Sequence, residues 1–166
     1  NILGKSLDGV VVYQGARRVD AAEIKLMEHE SVRAVFLDRE VVGNTLSSVV
    51  FDSYRAGWDM TQYLVNLGHR KIYYIQGAGD VYDSEMRKRG YIDALKANNL
   101  EFREDFVMDG LFEEQFTYNT IKTFLHFHSA NVPDAFICGN DISAIGCINA
   151  LKAEGYRVPE DISVAG

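Results

Sequence analysis

Gly68-His69-Arg70-Lys71-Ile72-Tyr73-Tyr74-Ile75-Gln76-Gly77 is the stretch that decides the fold. Gly68 stands where a left-handed residue would close a helix over Tyr54–Leu67. Lys71–Ile75 reads as a strand whose side chains are apolar or aromatic in successive positions, so both of its faces are buried. A helix over Ser84–Asn98 follows. The same alternation runs outward in both directions. Upstream, Asp8–Tyr13 reads as a buried strand and Val19–Glu30 as an amphipathic helix. Arg33–Asp38 and Ser48–Asp52 are strands, the latter reached through a Gly43-Asn44 turn. Downstream come a short strand at Phe106–Met108, a helix at Glu113–His128 and a strand at Pro133–Cys138. A helix at Asp141–Glu154, stopped by Gly155, and a strand at Asp161–Ala165 close the chain. Strands buried on both faces and separated by helices define parallel sheets with crossover helices on both sides. The fold class is α/β, doubly wound. A Gly/Asn/Thr/Ser-rich passage beside Ser48–Asp52 sets the boundary between two lobes, residues 1–50 and 51–166.

Composition narrows the function. The chain has 166 residues and a net charge of −7, from 17 Lys+Arg against 24 Asp+Glu. Such a surface repels phosphate backbones, so the chain is a poor nucleic-acid binder by itself. No apolar run reaches the roughly 18 residues of a membrane span, and no basic, then apolar, secretory signal opens the chain. Cys138 and Cys147, the only two cysteines, read as reduced, buried thiols. His126 and His128 are two apart on a helix and point away from each other. No metal and no cofactor is expected.

In doubly wound sheets, ligands bind beyond the carboxyl ends of the strands. The polar residues there are Tyr13, Gln14, Asp38, Arg39, Asp52, Gln76, Asp109, Asn140 and Asp141. As a set they suit a neutral, polyhydroxylated ligand. Asn and Asp are also ordinary helix N-caps, a role open to Asp141. The loop Gly77-Ala78-Gly79-Asp80 is placed like a dinucleotide fingerprint, but the third glycine position holds Tyr82. Ser84 reads as the N-cap of the next helix. Arg87 then falls in the first turn, where a cation opposes the helix dipole, an unfavourable placement that a binding role explains. No nucleophile elbow supports a serine triad, and His69 lies at the opposite edge, in a structural place. The chain is not expected to be an enzyme.

Five blocks carry a family resemblance. They are Val49-Val50-Phe51-Asp52 with Gly57, Tyr63–Ile72, Arg87–Leu95, Pro133–Asp141 with Ala144-Ile145-Gly146, and Gly155–Gly166. In this order and spacing they resemble the LacI/GalR transcriptional regulators, over nearly the whole chain. The proline usual before the second strand is missing from Val32-Arg33-Ala34-Val35. The resemblance implies a two-lobed effector-binding domain, like type I periplasmic binding proteins, with a sugar or sugar derivative held between the lobes. It implies that Arg87 clamps the effector, Asp141 accepts from its hydroxyls with Asn140 beside it, Phe112 stacks on it, and Ser84 lies in a loop over it. Asp38 and Tyr13 match first-lobe positions facing the cleft. It further implies a cytoplasmic homodimer, with no membrane contact, that reaches its DNA operator through a helix-turn-helix absent from this chain. The alternative is an exported sugar-binding protein of a transport system. The chain opens abruptly at Asn1–Gly4 and stops inside an apolar strand, so the first lobe is expected to be incomplete. Val10–Tyr13 and Val35–Leu37 should then pack less completely than Ile72–Ile75 and Phe136–Cys138.

Overall fold

The computed structural model describes residues 7–13, 20–38, 40–41, 46–79, 81–128 and 131–166. The Gly43-Asn44 turn, Gln14, Val19, Arg39, Asp80 and the opening Asn1–Gly4 lie outside them. The chain divides into one unit of residues 1–52 with 80–83, and a second of residues 53–79 with 84–166.

The first unit holds β1 (Val10–Tyr13), α1 (Ala21–His29), β2 (Ala34–Leu37) and β3 (Leu46–Val49). Asp20 opens α1: its carboxylate accepts from the Ala22 N–H at 2.9 Å, and the Glu23 carboxylate accepts from the Asp20 N–H at 3.3 Å. This reciprocal box satisfies helix N–H groups that otherwise lack partners. The strands pair in parallel in the order β1-β2-β3. Ala34, Phe36 and Leu46 pack on one face with Val10, Val12, Ile24 and Met27. The other face leaves Val11 70 % and Tyr13 68 % exposed.

Two expectations are corrected here. Val10–Tyr13 is a strand, but only one side of it is covered, so it is not buried on both faces. The third strand is Leu46–Val49 rather than Ser48–Asp52. Its register against β2 pairs Ala34 with Leu46 and Leu37 with Val49. Leu46 supplies the core contact, and Ser48 exchanges hydrogen bonds with the Val41 backbone at 2.8 and 3.3 Å. Val50 and Phe51, the apolar pair that suggested a strand, are exposed.

In the second unit, α2 (Ser53–Asn66) leads into β4 (Ile72–Gln76), followed by α3 (Tyr82–Ala97), which belongs to this unit from Ser84 onward. Then come β5 (Val107–Asp109), α4 (Glu114–His128), β6 (Ala135–Cys138), α5 (Asp141–Ala153) and β7 (Ser163–Ala165). Gly68, at φ +100°, closes α2, and the Gly68 and His69 N–H groups return to Val65 and Leu64 at 3.0 and 3.1 Å. The sheet is wholly parallel, in the order β5-β4-β6-β7. Its central strands are buried on both sides. Ile72, Tyr74, Ala135 and Ile137 meet Leu64, Val65, Tyr91 and Leu95 of α2 and α3. Tyr73, Ile75, Phe136 and Cys138 meet Ile121, Leu125, Cys147 and Leu151 of α4 and α5. The period-two alternation of a strand thus feeds two separate cores. The expected contrast holds: Ile72–Ile75 and Phe136–Cys138 are buried throughout, whereas Val35 and Leu37 are only half-buried.

The start of α3 differs from the expectation. The helix begins at Tyr82, so Ser84 lies inside its first turn and does not cap it. Arg87 is the sixth helical residue, one turn in, and the dipole argument for it lapses. What positions Arg87 is the crossing of α2 and α3. A Cβ on Gly90 would sit 2.1 Å from the Tyr54 carbonyl oxygen and 2.7 Å from the Trp58 nitrogen, and one on Gly57 would sit 2.1 Å from the Arg87 oxygen. The two backbones touch, and no side chain fits between them. Gly90→Ala should therefore lower the unfolding free energy by about 1–3 kcal/mol. Gly79→Ala, where nothing lies within 4 Å, should change it little. Urea denaturation of both variants checks this, and equal stability would contradict the backbone contact.

Candidate functional site

The strand order places a topological switch point in the second unit. The chain leaves β4 for β5 on one side and returns to β6 on the other. Ligands of such sheets bind where neighbouring strands diverge in this way, at their carboxyl ends. Those ends carry Gln76-Gly77 and Gly139-Asn140. Both glycines lie against the ring of Phe112: a Cβ on Gly77 would fall 1.9 Å from Phe112 Cζ, and one on Gly139 would fall 3.1 Å from Cε1. Leu111 and Phe112 hold this ring in place with φ of +54° and +61°. That is the left-handed region, unfavourable for residues with a Cβ. The turn is tied down at both sides. The Gly110 N–H donates to the Gln76 oxygen at 2.8 Å, and the Glu113 N–H donates to the Gly110 oxygen at 2.9 Å.

Arg87 reaches the same place from α3. Its Nη1 donates to the Gly139 carbonyl oxygen at 2.6 Å. No carboxylate forms an ion pair with it among the described residues. A guanidinium has five donors, so most of its capacity is open. Asn140 caps α5, its side-chain oxygen accepting from the Ser143 N–H at 2.9 Å. The cap role weighed for Asp141 thus falls to Asn140, and Asp141 is the exposed first residue of the helix. A cavity of about 340 Å³ opens here, lined by Ala56, Gly57 and Met60 of α2, by Arg87, Tyr74, Gly139, Asn140 and Asp141, and by their neighbours.

Other strand-end residues are already occupied. The Gln76 amide donates to Asp109 at 2.6 Å, and Lys88 donates to the Gln76 oxygen at 3.2 Å and to Glu85 at 3.0 Å. Ser84 is 1 % exposed in the helix, not in a loop, and its hydroxyl has no hydrogen-bond partner. Cys138 and Cys147 are free and buried. The contact with Cys147, then burial, hold the Cys138 thiol well above its ordinary value, so it remains S–H. In the first unit, Tyr13 ends β1, and Asp38 follows β2 at φ +57° with its N–H donating to the Val49 oxygen at 2.9 Å. A larger cavity of about 440 Å³ lies under α4, lined by Tyr73, Arg103, Phe124 and His128 among others. Its cation is already spent, since Arg103 pairs with Asp105 at 2.8 and 2.6 Å. The switch-point cavity keeps its cation open and is the stronger candidate.

Sequence reading passed over Tyr74 and the Gly139 carbonyl. A tyrosine inside a continuous apolar run shows only its ring to pattern analysis. Which backbone oxygen anchors an arginine depends on the helix crossing.

A parallel sheet with an open cation and a glycine-seated aromatic ring at its switch point marks this cavity as the candidate ligand site. The profile of the periplasmic binding protein-like domain matches residues 61–166. The chain is 28 % identical over 159 residues to the probable HTH-type transcriptional repressor ExuR of Bacillus subtilis, across 96 % of this chain and 47 % of that protein. It superposes on the Escherichia coli sugar-binding transcriptional regulator of the LacI family complexed with phosphate. There the TM-score is 0.84 and the identity 27 %, over 95 % of this chain and 55 % of that one. On the transcriptional regulator CelR in complex with cellobiose the TM-score is 0.84 and the identity 29 %, over 99 % and 50 %. The chain belongs to the periplasmic binding protein-like domain family, in the form carried by LacI-type transcriptional regulators. It spans about half the length of the curated relatives it matches.

Two phenols in the core beside this cavity set an alkaline limit. Burial raises the Tyr74 and Tyr91 hydroxyls far above their usual value. The folded chain therefore holds protons that the unfolded chain releases above about pH 10. Stability should fall as pH rises past that value. In an alkaline titration these two of the nine tyrosines should ionise only together with loss of the circular dichroism signal. Full ionisation in a chain that stays folded would contradict their burial.

Proposed function

We propose that this chain is the effector-binding core of a LacI-type transcriptional regulator, and that its effector is a sugar or sugar derivative. The observation that carries the reading is Arg87: a half-buried guanidinium, anchored on the Gly139 carbonyl and without an acid partner among the described residues, beside a ring seated on two glycines. A planar cation can give paired hydrogen bonds to vicinal hydroxyls or to an acidic group, and an aromatic ring suits the apolar face of a pyranose. Asp141 accepts from ligand hydroxyls, and Asn140 holds the α5 start against the ligand. Asp38 and Tyr13, at strand carboxyl ends of the first unit, belong to the same proposed set. Effector binding biases a homodimer between states of different DNA affinity, and can do so only as far as it prefers one of them. DNA is contacted by a helix-turn-helix, in the cytoplasm. The family supports this reading, as does the cellobiose held by CelR.

Arg87→Ala tests it. The side chain lines the cavity rather than a core and gives up one hydrogen bond, to the Gly139 carbonyl, so the melting temperature should fall only slightly. Losing a charged donor costs about 1.5–3 kcal/mol, so affinity for the sugar that binds best in a calorimetric panel of mono- and disaccharides and sugar acids should fall about tenfold or more. Unchanged affinity would remove Arg87 from the site.

A further inference from the structure

Among the described residues, three buried side-chain polar atoms have no hydrogen-bond partner: the hydroxyls of Tyr74, Ser84 and Ser143. Of these, Tyr74 alone lines the cavity that holds Arg87. Its ring is 1 % exposed and stacks on Tyr91 at 5.1 Å and 20°. The two stacked phenols differ in one respect: Tyr91 donates to the Ile72 carbonyl oxygen at 2.8 Å, and Tyr74 donates to nothing. A phenylalanine would fill the same core volume without burying an orphaned hydroxyl, which is destabilising when left unmade. Tyr74 and Arg87 line the same cavity, and burial keeps the phenol protonated as a donor. Arg87 is donor-only, and among the described residues no acid forms an ion pair with it. One end of the cavity therefore presents donors and a bare positive charge, while its acid, Asp141, stands exposed at the start of α5.

We propose that Tyr74 is a ligand-binding residue, and that its hydroxyl and the open N–H groups of Arg87 converge on one anionic oxygen-bearing group of the effector, a carboxylate or a phosphate. The site then takes an acidic sugar ahead of the corresponding neutral sugar. This rests on the reading of the cavity as an effector site. Charge-assisted bonds from two donors to one group outweigh those to a neutral hydroxyl, and the guanidinium needs no counter-ion from the protein.

Tyr74→Phe is the test, with Arg87→Ala beside it. Calorimetry compares D-glucuronate, D-galacturonate, D-glucose 6-phosphate, D-glucose and D-galactose on the chain and both variants. The wild-type chain should bind at least one acidic probe at least tenfold more tightly than its neutral counterpart. Tyr74→Phe should weaken that binding about tenfold, leave the neutral sugars unchanged, and melt no lower than wild type. The carboxylate and phosphate arms separate the two possible sources of the group. If neutral sugars bind through Arg87 with no preference for acids and no effect of Tyr74→Phe, the effector reading stands and this proposal falls. If none of the five binds, this proposal falls, and the effector reading is decided separately by the wider panel of mono- and disaccharides. A Tyr74→Phe chain that melts lower would show that the hydroxyl serves the core, and would also overturn the proposal.

Discussion

Two strands with no solvent-facing side, β4 and β6, constrain everything else in the second unit. Every side chain from Ile72 to Ile75 and from Ala135 to Cys138 is committed to one of two cores. Apart from the hydroxyls of Tyr73 and Tyr74, whose rings belong to the two cores while the residues line cavities, the polar groups offered here lie where the strands end. Their parallel pairing puts both carboxyl ends at the same edge, and the order β5-β4-β6-β7 opens that edge between them. The site is thus a consequence of burial: the more completely the strands are enclosed, the fewer positions remain for a binding group.

The edge itself is made of backbone. Gly77 and Gly139 leave bare peptide under the Phe112 ring, and the Gly139 oxygen holds Arg87. Any side chain at Gly77 would displace the ring. The strain is carried next door, at Leu111 and Phe112, and is held by the Gly110 hydrogen bonds. Unfavourable backbone in a turn that orders an aromatic ring over a crevice is the distribution expected of a binding site. The glycine crossing of α2 and α3 adds the remaining constraint, since it fixes how far along the edge Arg87 reaches.

The fold was legible because its signal is a long-range pattern. Ile72–Ile75 and Phe136–Cys138 read as doubly buried, and Gly68 read as a cap; each stands as read. The errors are local ones, where two neighbouring residues compete for one role. Val49-Val50-Phe51 is more apolar than Leu46-Ser47-Ser48, yet register against β2 selected the latter. Ser84 and Asp141 are both good capping types, but the helices start at Tyr82 and behind Asn140. The family resemblance pointed to Arg87 and Phe112, and the structure brings them to the same glycine, Gly139. Tyr74 was hidden because an orphaned hydroxyl is a property of three-dimensional surroundings, invisible in a run of apolar letters.

The central claim is that the effector binds at the switch point of the second unit. Amide chemical-shift mapping during titration with the best-binding sugar tests it most directly. The account predicts the largest shifts at Gly77, Phe112, Gly139 and Asp141, with a side-chain shift at Arg87. Shifts centred instead on Arg103, Phe124 and His128, around the cavity under α4, would contradict it.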